Sequence, residues 1–386
     1  MAAVDAVERR LWHVALAAVL ALSTLKTIKA PMPYAASHYW LTYEQGFVRR
    51  GLPGEIADAL GVTPTYAGIT VFAGVLYALF LLAVWRFSAP LIDSGSTALR
   101  LAAILHAAAI GVVYMAGTLG YADHLVVLLA IAALLPRSAA GRAVAALFLG
   151  VAAILIHEGA LLMFLPATWF AVHMAARPAG EARALALAAG VAAVHAALTL
   201  AVALGGTLGP EAAEALRAAM QARADIPPVD LLFRVLGAPA AAEAADTLRG
   251  MSLVAHVDSL VIVAPALVPL LALGLLLLRA AGASALTIWL AAGGALAPVL
   301  LRFLAKDMHR WDAMAVTAAF LVLWTIRRDL GRPVPAEALD RRAAPVLAAA
   351  IAVTAASTTF LVSHQPVEQY PFIDLRRGVL DHVLGR

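Results

Sequence analysis

The stretch YEQGFVRRGLPGE, from Tyr43 to Glu55, concentrates charge and glycine in an otherwise apolar chain. Arg49 and Arg50 present planar forks of donors that match the oxygens of a phosphate two at a time. Pro53, followed by GEIADAL and Gly61, reads as a short helix with proline in its first turn and a glycine stop. The amides of that first turn would point back at Arg49, Arg50 and Gly51, adding a partial positive dipole to two guanidinium groups. Gly46, Gly51 and Gly54 would let backbone approach a ligand closely. The pattern suits a phosphate or diphosphate. Two plainer readings stand beside it: the arginines reach out to lipid headgroups, or they pair with Glu44 or Glu55.

Three further polar groups interrupt the apolar sequence. Tyr121, Asp123 and His124 form the first, where Asp123 reads either as a helix cap or as a reactive carboxylate. His157, Glu158 and Gly159 form the second, at a tight turn between two apolar runs. Ionisable side chains at such depth are costly and face a cavity or a partner; the alternative is a pair that caps the hairpin. HEGAL is not the HExxH of zinc proteases, because position 161 is Leu. The third group is RFLAKDMHRWD, Arg302 to Asp312, with Lys306, Asp307, His309 and Arg310. Asp307 would pair with Arg310 or Lys306, as part of a site or of an ordinary charged turn. His106 and His195 lie inside apolar runs, to be satisfied by neighbouring helices or used as proton relays. The chain has no cysteine, which removes disulfides and thiolate chemistry. No metal-ligand motif or cofactor signature is present.

These groups need elements to hold them. With 386 residues, 63% of them hydrophobic and 13% charged, the sequence implies a single integral-membrane domain, an all-α polytopic transmembrane helix bundle. Apolar segments recur at 11–29, 66–87, 99–118, 124–136, 143–157, 160–176, 184–204, 257–278, 284–304, 311–326 and 343–362, about eleven spans. The first reads as a retained helix, since no small-residue cleavage site follows it. With the N-terminus in the cytoplasm and the C-terminus out, Lys and Arg in short connections favour the inner side by about two to one. All four polar groups then meet the outer boundary, where they would line one cavity. Residues 30–65 become an outer loop with a short helix. Residues 205–255 become a long outer loop of amphipathic helices lying over the face like a lid. The tail, 363–386, reads as an outer interfacial helix. A net charge of +4 in such a chain reflects orientation and gives no reason to expect a nucleic-acid partner.

An outward cavity with a basic pair, carboxylates and histidines fits glycosyl transfer from a polyprenyl-phosphate or polyprenyl-diphosphate donor, with membrane lipids around it. Such a transfer needs a base for the acceptor hydroxyl and charge compensation for the departing phosphate. Glu44 is the first choice of base, with Asp123, His157 and Glu158 behind it. Arg49, Arg50, Gly51, Lys306 and Arg310 would meet the phosphate, with Tyr43, His124, Asp307 and His309 nearby. In layout the chain resembles the integral-membrane glycosyltransferases of the GT-C class and the O-antigen or capsule polymerases of the Wzy and EpsG type. That resemblance implies a polysaccharide-building enzyme of the bacterial inner membrane fed by a lipid-linked sugar. Glu44 in YEQGF would match the acidic residue of the first outer loop in GT-C enzymes, and Arg49 and Arg50 the diphosphate-binding arginines of the polymerases. No Asp-x-Asp motif is present, which departs from metal-dependent GT-C chemistry. The rival expectation is a transporter or flippase for a lipid-linked or anionic substrate. Such proteins place ionisable residues and broken helices near the bilayer midplane.

Overall fold

The computed structural model describes residues 2–250, 253–305, 307–330, 336–356, 359–362 and 365–368. The apolar runs fold as helices because Ala and Leu dominate them. Several starts are fixed by capping side chains: the hydroxyls of Thr65, Ser96, Ser138 and Ser284 each accept the amide N–H three residues on. In chain order the helices are α1 (Ala2–Leu25), α2 (Pro33–Ser37), α3 (Leu52–Ala59), α4 (Tyr66–Ile92), α5 (Thr97–Ala108) and α6 (Ile110–Gly117). Then follow α7 (Asp123–Leu134), α8 (Ala139–Ile156), α9 (Ala160–Met163), α10 (Leu165–Ala176), α11 (Glu181–Gly205) and α12 (Pro210–Arg223). The remainder are α13 (Asp230–Gly237), α14 (Ala240–Gly250), α15 (Leu253–Ala280), α16 (Ala285–Leu300), α17 (Met308–Asp329) and α18 (Ala336–Ala356).

Six segments among the described residues are long and apolar enough to cross a membrane: Tyr66–Ile92, Thr97–Gly117, Ala139–Ile156, Glu181–Gly205, Ile262–Ala280 and Ala285–Phe303. This is fewer than the eleven spans expected. Helices α7 and α10 have 12 residues each, while α17 carries Arg310, Asp312, Arg327 and Arg328 along its length. The segment 99–118 is not one continuous helix: Ala109 is extended, with ψ 167°, and separates α5 from α6. The last helix is described over Ala336–Ala356, and Thr359–Val362 pairs antiparallel with Gln365–Glu368. The helix expected at Phe372–Leu384 lies outside the described residues.

At the centre stands α17, in which every residue from Arg310 to Ile326 is buried. Small residues let its neighbours close in; a methyl group added at Gly111 of α6 would sit 2.7 Å from the Thr317 hydroxyl. Beyond one end of the bundle lies a second apolar cluster, in which Tyr39, Trp40, Leu41 and Val48 pack against Leu216, Met220, Leu232 and Phe233. The 30–65 segment and helices α12 and α13 thus form one cap. Polar bonds pin it to the bundle at the head of α4, where Asp225 accepts the Tyr66 amide at 2.8 and 3.0 Å and the Tyr66 hydroxyl donates to Pro31 O, while the Trp40 indole donates to Pro64 O within the cap.

Candidate functional site

Under the cap, the four polar groups meet. Asp123 opens α7 just after Gly120, whose φ of +85° turns the chain into the helix. Its carboxylate takes two parallel bonds from Arg310, one turn into α17, at 2.9 and 2.5 Å. Tyr121 and Trp311 cover the Arg310 guanidinium at 5.3 and 4.8 Å from their ring centres. The turn between α8 and α9 supplies His157 and Glu158. Arg310 Nη2 lies 3.2 Å from His157 Nε2, and Glu158 takes three contacts from Arg50, at 2.6, 3.1 and 3.2 Å.

Arg50 is held in an uncommon shape. It has φ +66°, the one non-glycine residue with positive φ among those described, in a turn closed by Gly51 N–H to Val48 O. Left-handed backbone at a residue with a long side chain is strained and persists only where its surroundings fix it. Here the fixing partner is Glu158. Burial alone would raise the Glu158 carboxyl, but the charge of Arg50 outweighs it and holds the group well below the usual carboxylate range. His38, at the end of α2, donates from Nδ1 to Tyr34 O, 2.9 Å away. Burial, and then the positive charge of Arg50, push its imidazole down to about 4, so it is neutral at pH 7.

His157 carries an unmet need. Its Nδ1 lies 3.0 Å from the amide N–H of Gly159, and its Nε2 faces the guanidinium of Arg310. Both neighbours are donors, and a neutral imidazole can accept at only one nitrogen. Whichever nitrogen holds the proton, one of these contacts sets donor against donor. With Nδ1 accepting from Gly159, an oxygen lying beside Nε2–H and Arg310 would accept from both.

The remaining candidates fall elsewhere. Glu44 sits on the exposed surface of the cap, paired with Arg223 at 2.7 Å and 61% exposed, rather than in the buried cluster. Arg49 is buried, but its Nη2 is spent on the carbonyls of Val235 and Ala238, at 2.7 and 2.9 Å, at the C-terminal end of α13. Its Nη1 stays within 3.8 Å of Glu158. The glycines make room for chain rather than ligand: a methyl group at Gly51 would strike the Tyr43 ring, and one at Gly54 the Leu41 carbonyl oxygen, 2.0 Å away. Asp307 lies at the rim, 3.5 Å from Arg310. His124 faces two carbonyl oxygens, Met115 O at 2.9 Å and Tyr121 O at 3.3 Å. His309 contacts Ser259, which also bonds Asp312. Asp312 in turn takes Arg302 at 2.9 and 2.6 Å, a second buried pair beside the first. Lys306 lies outside the described residues. His195 is a satisfied bundle residue, accepting the Trp169 indole N–H at 3.0 Å and placing its other nitrogen on Leu147 O.

Sequence reading passed over Tyr34, His38 and Glu243. Tyr34 packs on Tyr121 with ring centres 6.2 Å apart. Glu243, on the first turn of α14, lies within the field of Arg50, Arg49 and Glu158, yet burial, the largest influence, raises its carboxyl above the ordinary value. In PAAAEAADTLRG it looks like any acid on an amphipathic helix. The available signal was its place one turn beyond a Pro that restarts a helix.

No group of three or more acidic or histidine side chains among the described residues is arranged to hold a metal ion. Fold and site together define a helical membrane protein with a buried, charge-rich cluster at one end, roofed by a cap. Compared with known protein families, with curated proteins and with solved structures, the chain has no match.

Proposed function

We propose that the protein is an integral-membrane glycosyltransferase or polysaccharide polymerase that draws its sugar from a polyprenyl-phosphate or polyprenyl-diphosphate carrier at the outer face of a bacterial inner membrane. The observation that carries this reading is the donor-against-donor contact around His157. Arg310 Nη2 and His157 Nε2 face each other at 3.2 Å, an arrangement that an anionic oxygen lying beside both and accepting from each would relieve, and Arg50 reaches the same turn through Glu158. Charge developing on a departing phosphate would be met there by groups already in position, which is the largest single source of catalysis in many enzymes. Covering such a site excludes water and strengthens those interactions.

In this reading the chain makes eleven crossings with the N-terminus inside, and a division of polar contacts between the two ends of the bundle supports helices that run from one face to the other. At the end away from the cap, Arg142 pairs with Asp329, Arg328 donates to Leu134 O, Glu8 pairs with Arg100, and Asp340 accepts from Ser96, Thr97 and Ala98. The cluster of Arg50, Asp123, Glu158 and Arg310 lies at the other.

A transporter is the second reading, favoured by the break at Ala109. Nearby His106 is fully buried, stacked on Phe320 at 3.9 Å, with no hydrogen-bond partner on either ring nitrogen among the described residues. The two readings separate in nanodiscs and proteoliposomes supplied with lipid-linked oligosaccharide extracted from bacterial membranes. A transferase releases free polyprenyl phosphate or diphosphate, and Arg50→Ala abolishes the release without reducing membrane insertion. Movement of intact substrate across the bilayer with no release of the carrier would overturn the transferase reading.

A further inference from the structure

Helix α14 is the part of the cap nearest the arginines. Arg49 fixes its approach by holding Val235 O and Ala238 O, and Pro239 O then accepts the amides of Ala242 and Glu243, at 2.9 and 3.2 Å, starting the helix. Helix α14 also packs on the turn Leu301–Phe303, which carries Arg302 of the Arg302–Asp312 pair. Glu243 is thereby fixed within one helical turn of the Arg49 clamp, its side chain half-buried. Every other carboxylate of the cluster is already engaged: Glu158 by Arg50, Asp123 by Arg310, Asp312 by Arg302. Glu243 makes no ion pair and no side-chain hydrogen bond among the described residues. A carboxylate locked by an arginine is a poor proton acceptor, whereas a half-buried one without such a partner is a better one.

We propose that Glu243 is the general base of this site, accepting the proton of an acceptor sugar's hydroxyl as that oxygen attacks the anomeric carbon of the lipid-linked donor. The inference rests on the transferase reading given above. The step balances. The acceptor O–H bond breaks, its proton passes to the Glu243 carboxylate, and a new C–O bond forms at the anomeric carbon. The old C–O bond to phosphate breaks, and its electron pair stays on the phosphate oxygen, facing Arg50 and Arg310. The groups acting on Glu243 are Arg50, Arg49 and Glu158, with Arg302 and Asp312 held together on the turn against which α14 packs. Burial raises the Glu243 carboxyl towards the working pH, where a base transfers protons most effectively.

Two measurements on the full-length protein in nanodiscs test this. In turnover with extracted lipid-linked oligosaccharide, Glu243→Gln lowers kcat by about 100-fold or more with KM little changed, Glu243→Asp keeps part of the rate, and the acidic limb of the pH–rate profile disappears in the Gln variant. Transfer by Glu243→Gln at a near-normal rate would remove Glu243 from the mechanism while leaving the transferase reading intact. The second measurement needs no turnover. A hydrophobic carbodiimide modifies protonated, half-buried carboxyl groups, and mass spectrometry locates the adduct. At mildly acidic pH Glu243 is labelled ahead of the exposed Glu214, and inorganic pyrophosphate protects it. If the protein transfers no sugar, the transferase reading fails, and labelling still decides whether Glu243 is the titrating carboxyl facing the anion site. Labelling no greater than at Glu214, or unaffected by pyrophosphate, overturns the assignment.

Discussion

Arg310 in α17 and Asp123 at the head of α7 stand 187 positions apart in the chain and share two parallel hydrogen bonds, with neither side chain more than 7% exposed. Burying such a pair returns little net stability, because both ions lose their water. What it does is fix the register of two helices at the cap end and hold Arg310 through Nε and one N–H of Nη2, leaving the second N–H of Nη2 to meet His157. The pair is therefore a positioning device whose strength shows only when one member is removed.

Asp123→Asn leaves Arg310 charged, buried and under-paired, and lowers stability by about 3–5 kcal/mol. Asp123→Leu combined with Arg310→Met removes both charges and loses much less than the two single losses together. Thermal unfolding of the wild type, the Asp123→Leu and Arg310→Met single variants and the double variant in one detergent gives the coupling directly. Simple additivity would mean that the two side chains do not interact.

Arg50 joins backbone strain to a buried ion pair, and two substitutions separate them. Arg50→Ala and Arg50→Gly both abandon Glu158, but only alanine still pays for a side chain at φ +66°. Glycine should be the more stable of the two by about 1 kcal/mol, while both lose anion binding equally. Equal unfolding midpoints would indicate that the left-handed turn relaxes once the guanidinium is gone.

The residues of the cluster were legible as oddities, and their pairing was not. RR, DH, HEG and KDMHRWD stand out because ionisable groups are costly beside apolar runs. Nothing in their spacing says that Arg50 meets Glu158, or Arg310 Asp123, because those contacts depend on how α3, α7, α9 and α17 are arranged in space. Glu44 drew attention through its position before the arginines, yet the cap's apolar core, built on Tyr39, Trp40, Leu216 and Met220, turns the loop so that Glu44 meets Arg223 at the surface. Hydropathy exposed most helices but not the break at Ala109, where an Ala-rich segment carries no Pro and its nearest glycine, Gly111, lies inside the following helix. The glycines misled in a particular way. Gly51 and Gly54 do allow close approach, but of the protein's own Tyr43 ring and Leu41 carbonyl, while Gly46 meets nothing within 4 Å and serves a backbone φ of +104°.

His38 gives the fold a pH dependence with a defined window. Its folded value, about 4, lies below the ordinary 6.5, so between these limits the unfolded chain binds the extra proton. Stability from this group is complete above about pH 6.5, is lost as the pH falls towards 4, and changes no further below that. His38→Asn, whose amide can still donate to Tyr34 O, should flatten that part of a plot of unfolding midpoint against pH. An unchanged slope would mean that His38 is not buried as a neutral ring. Glu158 contributes in a lower window, since its depressed carboxyl begins to lose stability only below its ordinary value of 4.5.

Arg49 bears on the cap rather than on the anion. Its Nη2 bonds to Val235 O and Ala238 O tie the junction of α13 and α14 to the loop that carries Arg50, and its Cγ fits against Gly206, where an added methyl group would come within 2.5 Å. Losing two such bonds, at about 1 kcal/mol each, would raise the population of an opened cap on the order of thirtyfold. Limited trypsin digestion reads this directly, because Arg217, Arg223, Arg234 and Arg249 all lie in the cap helices. Arg49→Ala should accelerate cleavage after Arg234 and Arg249, whereas Arg50→Ala, which leaves the clamp in place, should not. Arg49→Lys should behave like alanine more than like arginine, since a single ammonium cannot reproduce the fork that reaches both carbonyls. Equal digestion of all three variants and the wild type would show that the apolar core under α12 and α13 closes the cap without Arg49.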